Sequence, residues 1–232
     1  VLCYVSMYDE AHLSVNKKVK GGRVAVSYWG GVIEDHELVD KVYYKTKKRK
    51  MINVGIIGCG FEAGALKDWL EKNNPECKLF ISDPYKGYND DLSGIDIAFL
   101  QIHVQTEDDG TQDLTLMKEL IRKLPDVPVF VRTTILPGTS EQLSAATGHT
   151  VYYLPEFLTE RTFIEDFANQ TMVFTGEHEL LERIFIGKKH VCMSSLEAEL
   201  TKYMHNVFGA YKVTYFNACR EYCEQMGADW EK

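Results

Sequence analysis

The stretch MINVGIIGCGFEAGALKDWLEKN, residues 51–73, decides the fold of this chain. It begins with a short apolar strand, Val54–Ile57, passes through a glycine turn and continues with the apolar periodicity of a helix. The turn has the pattern Gly58-x-Gly60-x-x-Ala63. The first glycine permits a tight turn, the second lets a pyrophosphate approach the backbone, and the small third residue lets helix and strand pack closely. Phosphate is then expected over the helix N-terminus, so this stretch predicts a dinucleotide-binding unit.

A second strand supports this prediction. The segment KLFISD ends in Asp83, 25 residues after the first glycine, where a carboxylate can accept hydrogen bonds from the ribose hydroxyls of NAD. An ordinary strand–helix turn with a capping aspartate is the alternative interpretation. The predicted cofactor contacts come from the turn, the second strand and two later loops: Gly58, Gly60, Phe61, Glu62, Ala63, Asp83, Thr106 and Thr134.

Strands and helices then alternate along the chain. Apolar segments at 96–102, 127–133, 150–154 and 170–176 predict further strands, and residues 112–123 predict a helix. This alternation indicates an α/β fold of the Rossmann type, with a doubly wound, mostly parallel sheet followed by a long C-terminal helix. Ligands of such sheets bind beyond the carboxyl ends of the strands, so we expect the polar segments there to converge on one edge.

Charge divides the chain into regions. The net charge is −8, but residues 1–50 carry ten Lys and Arg against six Asp and Glu, whereas residues 51–232 carry 16 against 28. We predict an appended segment of unknown role at 1–50, an NAD-binding domain at 51–193 and a long connecting and dimerisation helix at 194–232. The basic run before Met51 is typical of a solvated linker, so no nucleic-acid partner is expected.

Composition argues against several classes of protein. No apolar stretch is long enough to span a membrane and no signal peptide is expected, so we predict no membrane partner. Six cysteines are too few for a disulfide scaffold and predict reduced thiols in a cytoplasmic protein. Cys219 and Cys223 lie one helical turn apart but lack a second pair with ligand spacing, so no metal site is predicted. His103, at the end of a predicted strand, is interpreted as a packed, hydrogen-bonded histidine.

Three later segments carry a family resemblance. They are VRTTILPGT at 131–139, YLPEFLTERTFIEDF at 153–167 and EAELTKYMHNVFGAYKVTYFNACREYCEQMGAD at 197–229. In this order behind the glycine turn, they resemble the UDP-glucose/GDP-mannose dehydrogenase family, with similarity over roughly residues 52–232. The resemblance implies NAD as cofactor, a nucleotide sugar as substrate, oxidation of an alcohol to a uronic acid, and a homodimer. It also implies a cysteine that captures the intermediate aldehyde.

The same resemblance implies roles for individual residues. Thr134 is expected to order a water molecule. Glu156 and Glu160 are expected beside the sugar and the nicotinamide, with Glu160 as the acid–base group and Glu156 as a positional one. Lys202 and Asn206 lie one turn apart on a single helix face. Without the resemblance, the two acids fit the first turn of a short helix equally well, and Lys202 and Asn206 fit a solvated helix face.

The sequence departs from the family pattern in three places. Only about a dozen residues separate Asp83 from the next predicted strand. Leu154, Thr159 and Arg161 stand where the family has Asn, Arg and Gly. None of the six cysteines lies in a glycine-rich segment like that of the family's nucleophile, so we expect an incomplete reaction from this chain. A non-catalytic NAD-binding module and a dehydrogenase of the 3-hydroxyacid or 6-phosphogluconate type are the alternatives.

Overall fold

The computed structural model describes residues 51–232 and three short strands before them, β1 (Ser14–Asn16), β2 (Ala25–Tyr28) and β3 (Gly31–Ile33). These three strands form an antiparallel sheet in the order β1–β2–β3. The chain separates into two compact units, residues 1–50 and residues 51–232. The basic run before Met51 lies outside the described residues.

A six-stranded sheet forms the centre of the second unit, in the order β6–β5–β4–β7–β8–β9. Its strands are β4 (Ile52–Ile57), β5 (Cys77–Asp83), β6 (Tyr88–Asn89), β7 (Ile97–Leu100), β8 (Val129–Val131) and β9 (Val151–Tyr153). All neighbouring strands are parallel except β6, a two-residue antiparallel edge strand. The predicted Rossmann-type, mostly parallel sheet is confirmed.

Helices cover both faces of this sheet. They are α1 (Phe61–Asn73), α2 (Thr115–Arg122), α3 (Thr139–Thr147), α4 (Phe163–Asn169), α5 (His178–Ile184) and the long α6 (Ser195–Gln225). Helices α1, α4 and α5 enclose one apolar core, and α2, α3 and the start of α6 enclose the other. Successive residues of β7 serve the two cores in turn, with Phe99 in the first and Ala98 and Leu100 in the second. Burial on both faces accounts for the continuous apolar runs of these strands.

The helix predicted at 112–123 begins only at Thr115. Gln112 instead forms an isolated β-bridge with Thr106, which holds the start of the segment in an extended turn. The predicted end of the helix is one residue from the observed end, because Ile121 and its neighbours follow a buried helical face.

The strand predicted at 170–176 lies outside the main sheet. Met172–Phe174 (β10) pairs in parallel with His190–Cys192 (β11) in a separate two-stranded sheet. Met172 and Phe174 pack in the first core and Val173 in the second. The apolar run of β10 therefore indicates burial on both faces, which many strands share. It does not identify β11 as the partner strand.

In the part of the chain that the structure describes, no helix has both the length and the hydropathy that crossing a membrane would require.

Candidate functional site

A cleft of about 630 Å³ opens at the carboxyl ends of β4, β7 and β8. Its lining combines the glycine turn, the loops after β7 and β8, and one face of α6. Six of the predicted site residues line it: Gly60, Phe61, Glu62, Thr106, Thr134 and Asn206. The polar segments that follow β7 and β8 therefore converge with the glycine turn on one cleft, at the edge where ligands of parallel sheets bind. No residue of the segment 155–160, after β9, belongs to its lining.

The glycine turn has the shape that a phosphate group requires. Gly58 has a φ of +80°, and an added Cβ there would approach the carbonyl oxygen of Gln101 to 2.1 Å, so only glycine fits. A Cβ added at Gly60 would meet nothing within 4 Å, and no described side chain caps the first turn of α1. The N–H groups of that turn thus face open space, as they do where helix N-termini bind phosphate.

Asp83 joins the second strand to this turn. The backbone N–H of Cys59 donates a hydrogen bond of 2.8 Å to Asp83 Oδ2, and Lys86 Nζ donates to the carbonyl oxygen of Cys59. Asp83 Oδ1 accepts no hydrogen bond from the residues that the structure describes. One carboxylate can therefore fix the turn with one oxygen and accept a ribose hydroxyl with the other, so the two interpretations of Asp83 are compatible.

Lys202 and Glu156 form a buried ion pair behind the cleft. Their side chains are only 6% and 5% exposed, and Lys202 Nζ lies 2.8 Å from Glu156 Oε1. Lys202 Nζ also donates to the backbone carbonyl oxygen of Glu156. The backbone N–H of Leu158 donates to Glu156 Oε2 at 2.7 Å. Both carboxylate oxygens of Glu156 thus accept hydrogen bonds from protein donors.

Neither the first turn of a short helix nor a solvated helix face, the two alternative interpretations of these residues, accounts for the pair. Residues 154–160 are not helical, because α4 begins at Phe163, so Glu156 and Glu160 are not first-turn acids. Lys202 is buried and does not belong to a solvated helix face. Glu160 is exposed and absent from the cleft lining, so the structure does not bring it to the pair.

The buried Gln101 and Arg132 and the half-buried Glu62 lie between the pair and the glycine turn. Gln101 Nε2 donates to Glu62 Oε2, and Arg132 Nε donates to Gln101 Oε1 at 3.2 Å. Burial lowers the pKa of the fully buried Arg132, an effect that the charges of Glu156 and Glu62 oppose. Burial, and next the charge of Glu156, raise the pKa of Glu62. Gln101 and Arg132 are not among the predicted site residues, although both stand near the ends of predicted strands.

Helix α6 is anchored one turn before Lys202. The buried carboxylate of Glu199 accepts hydrogen bonds from the N–H of Gly138 and from the N–H and hydroxyl of Ser140, at 2.5–2.8 Å. Ser194 and Glu197 form a reciprocal capping box at the start of the helix. The contacts of Glu199 hold the helix against the start of α3. They therefore fix the position of Lys202, one turn later, relative to Glu156.

Gln112 holds the loop that carries Thr134. Gln112 Nε2 donates to the Thr134 carbonyl oxygen at 3.3 Å, and the N–H of Leu136 donates to Gln112 Oε1 at 3.0 Å. Thr133 donates its hydroxyl to the carbonyl oxygen of Ile102 at 2.7 Å. The backbone around Thr134 is therefore fixed on both sides while Thr134 itself lines the cleft.

The sequence of this chain is similar to those of known dehydrogenases. Residues 196–232 match the profile of the UDP-glucose/GDP-mannose dehydrogenase family, central domain. A UDP-glucose 6-dehydrogenase of Rickettsia felis is 26% identical over 164 residues, which cover 62% of this chain and 37% of that protein. One from Haloferax volcanii is 29% identical over 171 residues, covering 60% of this chain and 40% of that protein.

The chain is similar to UDP-glucose and GDP-mannose dehydrogenases over these segments. The resemblance found in the sequence is thus confirmed. This chain spans about two fifths of the length of the curated relatives that it matches. Among solved structures, a UDP-glucose dehydrogenase from Pyrobaculum islandicum superposes with a TM-score of 0.63 at 20% identity, covering 78% of this chain and 55% of that one. That likeness concerns the fold.

His103 differs from its predicted environment. It is exposed and lines the cleft, so its interpretation as a packed, hydrogen-bonded histidine is wrong. The apolar pattern of β7 predicts that His103 follows the end of this strand. The direction of its ring depends on the backbone of the next few residues, which the pattern does not predict.

None of the described cysteines is among the residues that line the cleft. Cys59 is buried in the glycine turn, and burial raises its pKa. Burial also raises the pKa of Cys77 to about 11, whereas Cys192 is exposed. Cys219 and Cys223 are half-buried in α6. No group of described side chains has an arrangement that could hold a metal ion.

Proposed function

We propose that this chain binds NAD in the cleft and takes part in the oxidation of a nucleotide sugar's primary alcohol. The observation that carries the proposal is the buried Lys202–Glu156 pair beside the cleft. The cleft is also lined by the glycine turn, which leaves room for a phosphate group, and by the loop of Thr134. Its relatives are named for UDP-glucose 6-dehydrogenation.

The residues of the turn fit the proposed cofactor. The N–H groups of the first turn of α1 offer donors to a pyrophosphate, and Gly60 leaves room for it. Asp83 Oδ1 offers an acceptor to a ribose hydroxyl and repels a 2′-phosphate. NAD supplies the hydride acceptor of the reaction when it is bound.

Lys202 is proposed to stabilise negative charge on the substrate oxygen. An ammonium group has three donors, and Glu156 takes two of them, so one is left for a substrate. Glu156 holds the ammonium group in place, in agreement with its predicted positional role. Asn206 and Thr134 present an amide and a hydroxyl to the same cleft, where they can orient the substrate or a water molecule. Glu160 remains our predicted acid–base residue.

We also propose that these 232 residues by themselves yield little or no uronate. The second oxidation requires a thiol that captures the aldehyde, and the described cysteines do not line the cleft. Alcohol-to-aldehyde oxidation is the step that the described residues can support.

Calorimetric titration with NAD and NADP, followed by NADH formation from UDP-glucose and from GDP-mannose, tests the proposal. We expect NAD to bind more tightly than NADP and NADH to form slowly, and Lys202→Met to lower that rate by about 100-fold without loss of NAD binding. NAD binding without any turnover would indicate a non-catalytic module. Turnover of 3-hydroxyacids but not of nucleotide sugars would indicate the other alternative. Failure to bind NAD would overturn the proposal.

A further inference from the structure

The lining of the cleft offers little positive charge to a dinucleotide. Such a ligand carries negative charge on its diphosphate, which we propose binds at the first turn of α1. No Lys or Arg is among the described residues that line the cleft, and a carboxylic acid, Glu62, lies in that same turn. Because like charges repel, a cation near the glycine turn would favour binding of the diphosphate.

Lys86 places its ammonium group on the glycine turn. Its Nζ donates a hydrogen bond of 2.5 Å to the carbonyl oxygen of Cys59, the residue between the two glycines of the turn. Asp83 contacts the same residue, because Asp83 Oδ2 accepts a hydrogen bond of 2.8 Å from the N–H of Cys59. The residue at the centre of the turn is thus held by one anionic and one cationic side chain.

The segment after β5 fixes the direction of Lys86. Pro84–Lys86 form a single 3₁₀ turn that starts with proline, and Gly87 ends this turn with a φ of +81°. The N–H of Gly87 donates to the carbonyl oxygen of Pro84 at 3.2 Å. Side chains three positions apart in a 3₁₀ turn lie one above the other, so Asp83 and Lys86 both reach the glycine turn.

The ammonium group of Lys86 retains donors for a ligand. It has three N–H donors, and the carbonyl oxygen of Cys59 takes one of them. No carboxylate of the described residues lies within ion-pair distance of it. Lys67, whose charge also acts on Cys59, is instead paired with Glu71 at 3.0 Å. Of these two lysines, Lys86 is therefore the one whose charge is available to an anion.

We propose that Lys86 is a dinucleotide-binding residue, whose ammonium group stabilises the negative charge of the diphosphate between the first turn of α1 and Asp83. This inference rests on the proposed binding of NAD in the cleft. Because Lys86 and Asp83 contact the same residue of the turn, the cation also offsets the repulsion that Asp83 exerts on a 2′-phosphate. Lys86 therefore strengthens the binding of both cofactors and reduces the discrimination against NADP.

The test is calorimetric titration of three variants with NADH and with NADPH. Lys86→Met removes the charge and the hydrogen bond to Cys59, Lys86→Gln keeps an amide donor without the charge, and Lys86→Arg keeps both. We expect Lys86→Met and Lys86→Gln to bind NADH about tenfold more weakly than the wild type, the effect of one lost charge–charge contact near the surface. Their affinity for NADPH should fall by more than that, and Lys86→Arg should bind both ligands almost as the wild type does.

Lys78→Met is the matched control, because Lys78 is an exposed lysine near the opposite end of β5, and it should leave both affinities unchanged. Wild-type affinity in Lys86→Gln, an equal loss for NADH and NADPH in Lys86→Met, or an equal loss in Lys86→Arg and Lys86→Met overturns this inference and leaves NAD binding intact. Absence of NADH binding by the wild type overturns the proposed function as well. Thermal unfolding shows whether each variant is folded, and if Lys86→Met is not, the comparison of Lys86→Gln with Lys86→Arg decides.

Discussion

At the scale of single residues, the site depends on charges that are buried together. Lys202, Glu156 and Arg132 are all buried, and removing such groups from water costs several kcal/mol each. Arg132 donates from Nε to Gln101 Oε1, whereas its Nη1 and Nη2 have no hydrogen-bond partner among the described residues. For Lys202 and Glu156 the cost is offset because each charge meets the opposite one. Removing one partner therefore costs more than removing both, because a lone buried charge has nothing to compensate it.

Replacing Lys202 alone should destabilise the fold markedly. Lys202→Met leaves Glu156 buried and unpaired, and we expect a loss of about 3–5 kcal/mol in the free energy of unfolding. The double variant Glu156→Gln/Lys202→Met should recover part of that loss. Urea unfolding measures both, with Lys212→Met, an exposed lysine of the same helix, as the control with little effect. Equal stability of Lys202→Met and Lys212→Met would contradict the importance of the pair.

Asp83 should set the choice between NAD and NADP. Asp83→Asn keeps an acceptor oxygen for the Cys59 N–H but removes the negative charge that repels a 2′-phosphate. We expect the preference for NAD over NADP to decrease by about tenfold, an amount typical of one lost charge–charge contact near the surface. Calorimetric titration with both cofactors measures this ratio. Asp90→Asn, at an acid that accepts a hydrogen bond from the backbone N–H of Ile81 in β5, should leave the ratio unchanged.

At the scale of elements, the sequence predicts what local pattern determines. The strand, glycine turn and helix at residues 51–73 follow from apolar periodicity and from the demand of Gly58 for a positive φ. The partner of β10 and the start of α2 depend on contacts with other segments, so periodicity could not supply them. The hydrogen bonds of Gln101 with Glu62 and Arg132 join residues 39 and 31 positions apart, and no local pattern identifies them.

The anchor of α6 on α3 can be tested separately from the charges of the site. Glu199→Ala leaves the Ser140 hydroxyl and the N–H groups of Gly138 and Ser140 without their acceptor, at roughly 1–3 kcal/mol for each buried group. We expect a large loss of stability and, because Lys202 follows one turn later, weaker activity in the folded fraction. Glu224→Ala, at an exposed i,i+4 pair of the same helix, is the control and should change stability by less than about 0.5 kcal/mol. Similar unfolding curves for the two variants would exclude this role for Glu199.

At the scale of the whole molecule, α6 has two different halves. Its first turns are buried through Ala198, Glu199 and Lys202. Beyond them the apolar and aromatic residues are exposed, including Phe208 at 59% and Tyr211 at 65%. Such a continuous apolar surface on one helix is unusual in a monomer and commonly marks a contact with another protein.

We expect this half of α6 to pair with a second copy of the chain. Two-fold pairing is the commonest way to cover such a surface, because the same residues of each copy then face each other. Tyr211 stacks on Tyr215 along the exposed stripe, so a charge placed at either position would lie within the contact. Sedimentation at micromolar concentration should show a dimer for the wild type and a monomer for Tyr211→Glu. Asn217→Glu adds the same charge at an exposed polar position of the helix and should remain dimeric. A wild-type monomer at these concentrations would show that the stripe does not join two copies, and an equal effect of both substitutions would show that net charge, and not the aromatic stripe, controls assembly.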